Sequence, residues 1–238
     1  MHVNADEIIE QSKKVFLTSD KQKQKYYSLK GWIEQKEYAQ IHPFFLNPLD
    51  IKINPTLFTK QITEYKDYFE QWGNEHTHLP RKGLALVNET GRLHLNDPVN
   101  GSLYEYNKNY PETPLIETDF TKETEVMNLS SLDPLKQFEG NWLRSNILYW
   151  EDGAHFKPHI DTVVPSPWIR LWGTTSESIK LRYAHNNTLI DVVNVEPGRL
   201  YLIDTSLVHD ARCDGASGYQ FFLSCCTGVY ERLRRLML

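Results

Sequence analysis

The chain of 238 residues is 40% apolar and 24% charged, which is ordinary globular usage and excludes general disorder. Its formal charge is -5 and its pI about 6.0, with lysines and arginines scattered, so no basic field exists for a nucleic acid. No apolar run approaches the roughly 18 residues of a membrane span, and residues 1–14 lack a signal-peptide core. Cys213, Cys225 and Cys226 are an odd set with an adjacent pair ill suited to a disulfide, so a soluble protein of the reducing cytoplasm is expected.

Residues 1–41 read as mostly helical. Ile8, Ile9, Val15 and Phe16 lie near helical spacing, and a second segment carries Trp32, Ile33 and Tyr38. Asn54 and Pro55 suit an N-cap and a first helical position. Ile62, Tyr65, Phe69 and Trp72 then recur at helical intervals up to Gly73, which predicts one helix covering a sheet face. From residue 82 the period shortens. Gly83–Val87 and Gly91–Leu95 read as two strands joined through Asn88-Glu89-Thr90-Gly91, with the sheet beginning here. Residues 96–138 are polar and turn-rich, a long insertion that is either a functional loop or a mobile segment. Tyr104, Tyr106 and Tyr110 fit either packing of this loop on the body or a cleft wall.

Strands are expected next at Trp142–Trp150, Trp168–Gly173, Ser178–Ala184, Thr188–Val195, Arg199–Ile203 and Tyr219–Cys226. Turns such as Glu151-Asp152-Gly153 and Glu196-Pro197-Gly198 separate them. Many short strands without helices between them predict a sandwich or barrel. The tail Glu231–Leu238 mixes arginines and leucines as a short amphipathic helix docked on the body.

The candidate chemistry lies in Gly153 to Thr162, answered by Leu207-Val208-His209-Asp210. On an extended backbone residues i and i+2 share a face, so His159 and Asp161 converge while Ile160 turns toward apolar packing. His209, from a distant strand, completes two histidines and one carboxylate, the set that binds non-haem Fe(II) and leaves positions open for cosubstrate and oxygen. His155 and His159 also have the i, i+4 spacing of a helical zinc pair. Pro158 between them, Gly153 before them and Phe156 where that motif needs glutamate argue against it. A lone His-x-Asp is a common chance triplet; the strands on both sides and the distal histidine distinguish this one. His155 fits either a supporting role or a solvated loop, and Asp204 and Asp210 fit either turn formation or orientation of the histidines.

Residues 142–226 resemble the double-stranded β-helix of Fe(II)- and 2-oxoglutarate-dependent dioxygenases, in particular the aspartyl/asparaginyl β-hydroxylase branch. The residues that carry the likeness are Arg144 to Leu148, Gly153-Ala154 with Pro158-His159, Trp168 to Trp172, and Glu196 to Asp204 leading to Val208-His209; Pro80 to Asn88 is similar to an early strand of that branch. The resemblance implies a mainly β fold with flanking helices, a jelly-roll, cupin-like core under an N-terminal helical cover. Within a single domain 1–238, residues 1–79 would be the mainly helical cover, 80–230 the core with its 96–138 insertion, and 231–238 the tail.

The resemblance further implies that His159, Asp161 and His209 are the metal-binding and catalytic set, holding Fe(2+). 2-Oxoglutarate and O2 would be cosubstrates, and a small-molecule or peptide substrate would be hydroxylated at an amino acid. In that branch an arginine about ten residues beyond the distal histidine pairs with the far carboxylate of 2-oxoglutarate. Tyr219 stands there. Arg170 matches the branch's second arginine and is the first choice of anchor, although a salt-bridged strand arginine fits as well; Arg212, Tyr149 and Tyr219 follow. Trp172 replaces a histidine of the same pocket. Two alternatives remain open: an Fe(II) oxygenase that does not use 2-oxoglutarate, and a non-catalytic jelly-roll module that binds a ligand.

Overall fold

Apolar alternation along short segments builds two antiparallel sheets stacked face to face. The structure, a computed structural model, describes residues 1–16, 20–27, 35–72, 81–95, 103–162 and 166–238. Three helices, α1 (Ala5–Phe16), α2 (Asp20–Tyr27) and α3 (Gln35–Ile41), precede β1 (Leu46–Lys52). Next come α4 (Pro55–Ile62), β2 (Glu70–Trp72), β3 (Arg81–Asn88), α5 (Leu103–Asn109) and β4 (Lys122–Glu123). The remaining strands are β5 (Ser145–Trp150), β6 (His155–His159), β7 (Trp168–Thr174), β8 (Ile179–His185), β9 (Thr188–Asp191), β10 (Arg199–Ile203), β11 (His209–Cys213) and β12 (Gly218–Cys226), before α6 (Tyr230–Arg235). Among the described residues no helix is long and apolar enough to cross a membrane.

The larger sheet has the order β1-β10-β7-β12-β5-β3-β2, with β4 paired to β3; the smaller has the order β6-β11-β8-β9. From β5 onward the chain passes back and forth between the sheets, the winding of a double-stranded β-helix of jelly-roll type. The mainly β class with flanking helices is therefore the observed one. The large sheet is covered on both faces. Outward, Ile147, Ile169, Leu171, Phe221 and Leu223 pack under Phe58 and Ile62 of α4, Leu233 of α6, and Leu132, Leu135 and Phe138 of a 3-10 segment (Ser130–Phe138). Inward, Leu148, Trp150, Trp172, Tyr201 and Ile203 meet Ile179, Leu181 and Ala211 of the small sheet. The 96–138 insertion thus contributes core residues.

Three local expectations are corrected. The sheet begins at β1, not at residue 82: Leu49 and Ile51 are buried while Asp50 and Lys52 are exposed, a strand pattern that Pro48 disguises. β1 lies at the sheet edge, where a residue without an N–H is tolerated. The helix expected up to Trp72 ends at Ile62. Asn54 caps it by accepting from Leu57 N at 3.0 Å, but the chain then tightens into a 3-10 turn, and Trp72 sits in β2 opposite Arg81. Phe69 packs against the outer core and Trp72 belongs to the inner one, so their helix-like spacing serves two different layers. Residues 91–95 form no strand. The Asn88 side chain accepts from Thr90 N and Gly91 N and donates to Arg92 O, folding a turn, and Val87 and Asn88 pair with β4 instead. Trp32, Ile33 and Gly73 lie outside the described residues, as do the side chains of Val15, Phe16 and Tyr104.

Gly198 has φ +86, and a Cβ there would lie 2.2 Å from the carbonyl oxygen of Ile53. Gly198→Ala should cost about 3 kcal/mol in urea denaturation, because a left-handed backbone and a clash with main chain coincide. Gly140, at φ +73 with open space around it, should tolerate alanine for only about 1 kcal/mol.

His42 is buried against the Tyr38 ring, and neither of its ring nitrogens finds a partner among the described residues. Burial pushes its pKa from 6.5 down to about 3. The unfolded chain therefore takes up this proton first, so stability is greatest above pH 6.5 and is lost as pH falls toward 3. Between pH 7 and pH 5 denaturation should register a loss of about 2 kcal/mol from this group, and His42→Phe should remove that slope.

Candidate active site

β6 and β11 bring the two histidines together, with His209 opposite His159 in the register. Between that pair and the Ala211–Phe156 pair, β6 has one residue more than its partner. This bulge lets Phe156 and His159, three apart, both line the interior. His155 turns away, to Asp210 at 3.2 Å. Beyond β6 the chain bends at Asp161, held by Asp161 N and Thr162 N donating to Thr205 O at 2.9 and 3.2 Å, and Ile160 lines the cavity beside His159 and Asp161 instead of facing away from it. Ile160 N donates to Ser12 Oγ of α1 at 3.2 Å, which ties the N-terminal cover to the motif.

The ligand atoms of His159, Asp161 and His209 all lie within 4.8 Å of one another. Asp161 Oδ1 is 3.2 Å from His159 Nε2, and Oδ2 is 3.4 Å from His209 Nε2. On the far side of each ring, His159 Nδ1 lies 2.7 Å from Lys157 O and His209 Nδ1 lies 2.8 Å from Leu207 O. Each carbonyl holds a proton on Nδ1, which turns both Nε2 atoms toward the carboxylate. Burial alone would raise the pKa of Asp161, but the two histidines outweigh it and hold the carboxyl well below its usual range. Burial pushes His159 down, more than Asp161 restores, whereas at His209 the hydrogen bond and charge of Asp161 prevail over burial and raise it.

These groups border a cavity of about 230 Å³ between the sheets, roofed by Ile8, Gln11 and Ser12 of α1, Gln22 of α2, and Leu103 and Asn107 of α5. Its wall carries three guanidinium groups, Arg81, Arg144 and Arg170, against two carboxylates, Glu117 and Asp161. Arg170 Nη1 and Nη2 each lie 3.1 Å from a Glu117 oxygen, and Arg170 also meets Ser224 Oγ. Arg144 Nη1 lies 3.4 Å from Glu117 Oε1. Glu117, carried by a 3-10 turn (Glu117–Asp119) of the insertion, is thus shared by two buried arginines. Arg81 differs. It is 5% exposed, its guanidinium has no ion pair among the described residues, and it lies over the rings of Phe156 at 3.8 Å and Trp150 at 5.0 Å. Burial pushes its pKa down to about 9, with Asp161 pulling the other way, so it stays charged at neutral pH.

Of the side chains considered for the cosubstrate, Arg170 and Trp172 line the cavity, and Trp172 Nε1 has no partner among the described residues. Tyr149, Tyr219 and Arg212 do not line it. Lys82, Tyr149 and Tyr219 are register partners across β3, β5 and β12 and share the outer face, where the Tyr219 ring packs 5.2 Å from Tyr149 and 5.6 Å from Phe58. Arg212 pairs with Asp191 and Asp214 instead. Asp210 binds Arg182 and His155, and Asp204 caps its own turn through Ser206, so neither touches the metal-ligand candidates by hydrogen bond. Tyr106 and Tyr110 stack on each other, 4.8 Å apart, and it is Leu103 and Asn107 of α5 that face the cavity. Arg81 and Glu117 were not singled out from the sequence. Arg81 begins a strand that alternation marks, but Glu117 sits in an irregular segment with no period to read.

No protein-family model matches the sequence, and no curated protein matches it. Among solved structures, a prolyl-4-hydroxylase from Pseudomonas putida is 10% identical over 76% of this chain and 92% of its own, with a TM-score of 0.42. A prolyl hydroxylase from Trichoplax adhaerens, in complex with a hypoxia inducible factor peptide fragment, is 12% identical over 75% of this chain and 80% of its own, with a TM-score of 0.41. An oxidoreductase of the 2OG-Fe(II) oxygenase family from Burkholderia pseudomallei is 9% identical over 70% and 79%, with a TM-score of 0.38.

Glu117→Gln removes the carboxylate that Arg144 and Arg170 share inside the protein. Breaking such a buried pair should cost about 3–5 kcal/mol in urea denaturation, and the double change Glu117→Gln with Arg170→Met should recover part of that loss.

Proposed function

We propose that this chain is an Fe(II)- and 2-oxoglutarate-dependent oxygenase of the aspartyl/asparaginyl β-hydroxylase-like branch, which hydroxylates an amino acid, free or within a peptide. The observation that carries the reading is the convergence of His159 Nε2, His209 Nε2 and the Asp161 carboxylate at the wall of an internal cavity rich in arginine. The donor set fits ferrous iron: two imidazoles and one carboxylate from one side suit a non-haem iron with open positions. Both rings have Nδ1 held by a carbonyl, which leaves Nε2 as the ligand atom, and Asp161 remains ionised; a cation would displace any proton from the Nε2 atoms.

With 2-oxoglutarate and O2, bound iron supplies the oxidising power to hydroxylate an unactivated C–H bond. The chain's own part is to position and to protect. Lys157 O and Leu207 O keep the imidazoles aimed, and Thr205 O and Ser12 Oγ hold the backbone of the motif. Trp72, Phe156, Trp168, Trp172 and Phe222 make a largely aromatic wall that limits water. Three guanidinium groups against two carboxylates, with a divalent cation added, call for an anionic ligand, which a dicarboxylate cosubstrate provides. A cavity of about 230 Å³ suits that cosubstrate together with one compact side chain of a substrate.

Under anaerobic conditions, Fe(II) plus 2-oxoglutarate should produce a visible charge-transfer absorption, and admission of O2 should release succinate. His159→Ala should abolish both while leaving the urea midpoint near that of the parent. An iron-loaded protein that neither binds 2-oxoglutarate nor forms succinate would refute the proposal.

A further inference from the structure

We infer that Arg81 binds the far carboxylate of the 2-oxo acid, a task the family resemblance assigns to the position of Tyr219. The inference rests on the oxygenase reading above and adds the residue that recognises the cosubstrate. Its basis is the pleat of the large sheet. Lys82, Tyr149 and Tyr219 form one row of register partners that faces outward, so a side chain at 219 lies on the wrong face to meet a ligand in the cavity. One residue along, the face reverses, and Arg81 on β3 points inward to line the cavity.

Charge selects Arg81 from the three arginines. Glu117 engages Arg144 and Arg170, and Asp161 engages the two histidines, which leaves the Arg81 guanidinium buried without an ion pair among the described residues. Distance agrees. The Phe156 ring lies 4.0 Å from the His159 ring and 3.8 Å from the Arg81 guanidinium. Arg81 and a metal-ligand candidate thus touch the same ring at the wall of one cavity, within the compass of a five-carbon diacid that would be held at the metal by its keto acid end.

The test is anaerobic calorimetry on the Fe(II)-loaded protein with two probes, 2-oxoglutarate and 2-oxopentanoate, which has a methyl group where the far carboxylate would be. The parent protein should prefer 2-oxoglutarate. Arg81→Met should weaken 2-oxoglutarate about 100-fold and 2-oxopentanoate less than about threefold, and Arg81→Lys should lose about tenfold for the diacid alone, since an ammonium cannot form the paired contact. Arg170→Met should leave the preference in place. If either Arg81 variant keeps the parent's preference, or if Arg170→Met abolishes it, Arg81 is not the anchor; Arg81→Lys, which retains the charge, decides the matter should Arg81→Met fail to fold. A parent protein that binds neither 2-oxo acid overturns the oxygenase reading itself, a result distinct from loss of the Arg81 assignment alone.

Discussion

Charge buried between two β-sheets is the constraint on which this structure depends. An apolar interior cannot solvate guanidinium groups or carboxylates, so each must be neutralised by a neighbour, a metal or a ligand. Glu117 sets one negative charge between two arginines and, in doing so, fastens the insertion to the inner face of the large sheet. Asp161 is held between two imidazoles. Among the described residues these pairings leave the Arg81 guanidinium without a carboxylate partner and the Asp161 carboxylate set between two imidazoles.

The geometry that keeps these groups apart comes from the strands. β7 is buried along its whole length and divides its residues cleanly: Ile169 and Leu171 enter the outer core, while Trp168, Arg170 and Trp172 enter the cavity. The small sheet supplies the metal-ligand candidates through a bulge that a regular β6 would lack. The N-terminal helices then close the space from above, with Ser12 joined to the backbone of the motif itself. Cover, insertion and sheet thus each contribute polar contacts to the same small volume.

Much of this was legible in the residues. The alternation at the start of β8, the short apolar runs of β10 and β12 and the Gly-containing turns between strands marked the jelly roll, and the His-x-Asp triplet with its distal histidine marked side chains that do come together. The misreadings share a cause. Leu49 and Ile51 of β1 alternate as a strand does, but Pro48 interrupts the pattern and is tolerated only because β1 lies at the edge of the sheet. Phe69 and Trp72 continued a helical period although they serve different layers. Tyr219 stands at the anchor position by its distance along the chain from His209, and distance along a chain does not say which way a side chain faces.

The sequence by itself marked the mainly β class of fold and the neighbouring His159 and Asp161, because apolar patterning and closeness along the chain are local properties, whereas the pairing of β11 with β6 brought His209 to them. Only the tertiary structure decided which arginines are already neutralised, since Glu117 reaches Arg144 and Arg170 from an irregular segment far from them in sequence. It also decided that Arg81 faces the cavity and Tyr219 does not, because register across three strands, and not spacing along one, sets the face on which a side chain emerges.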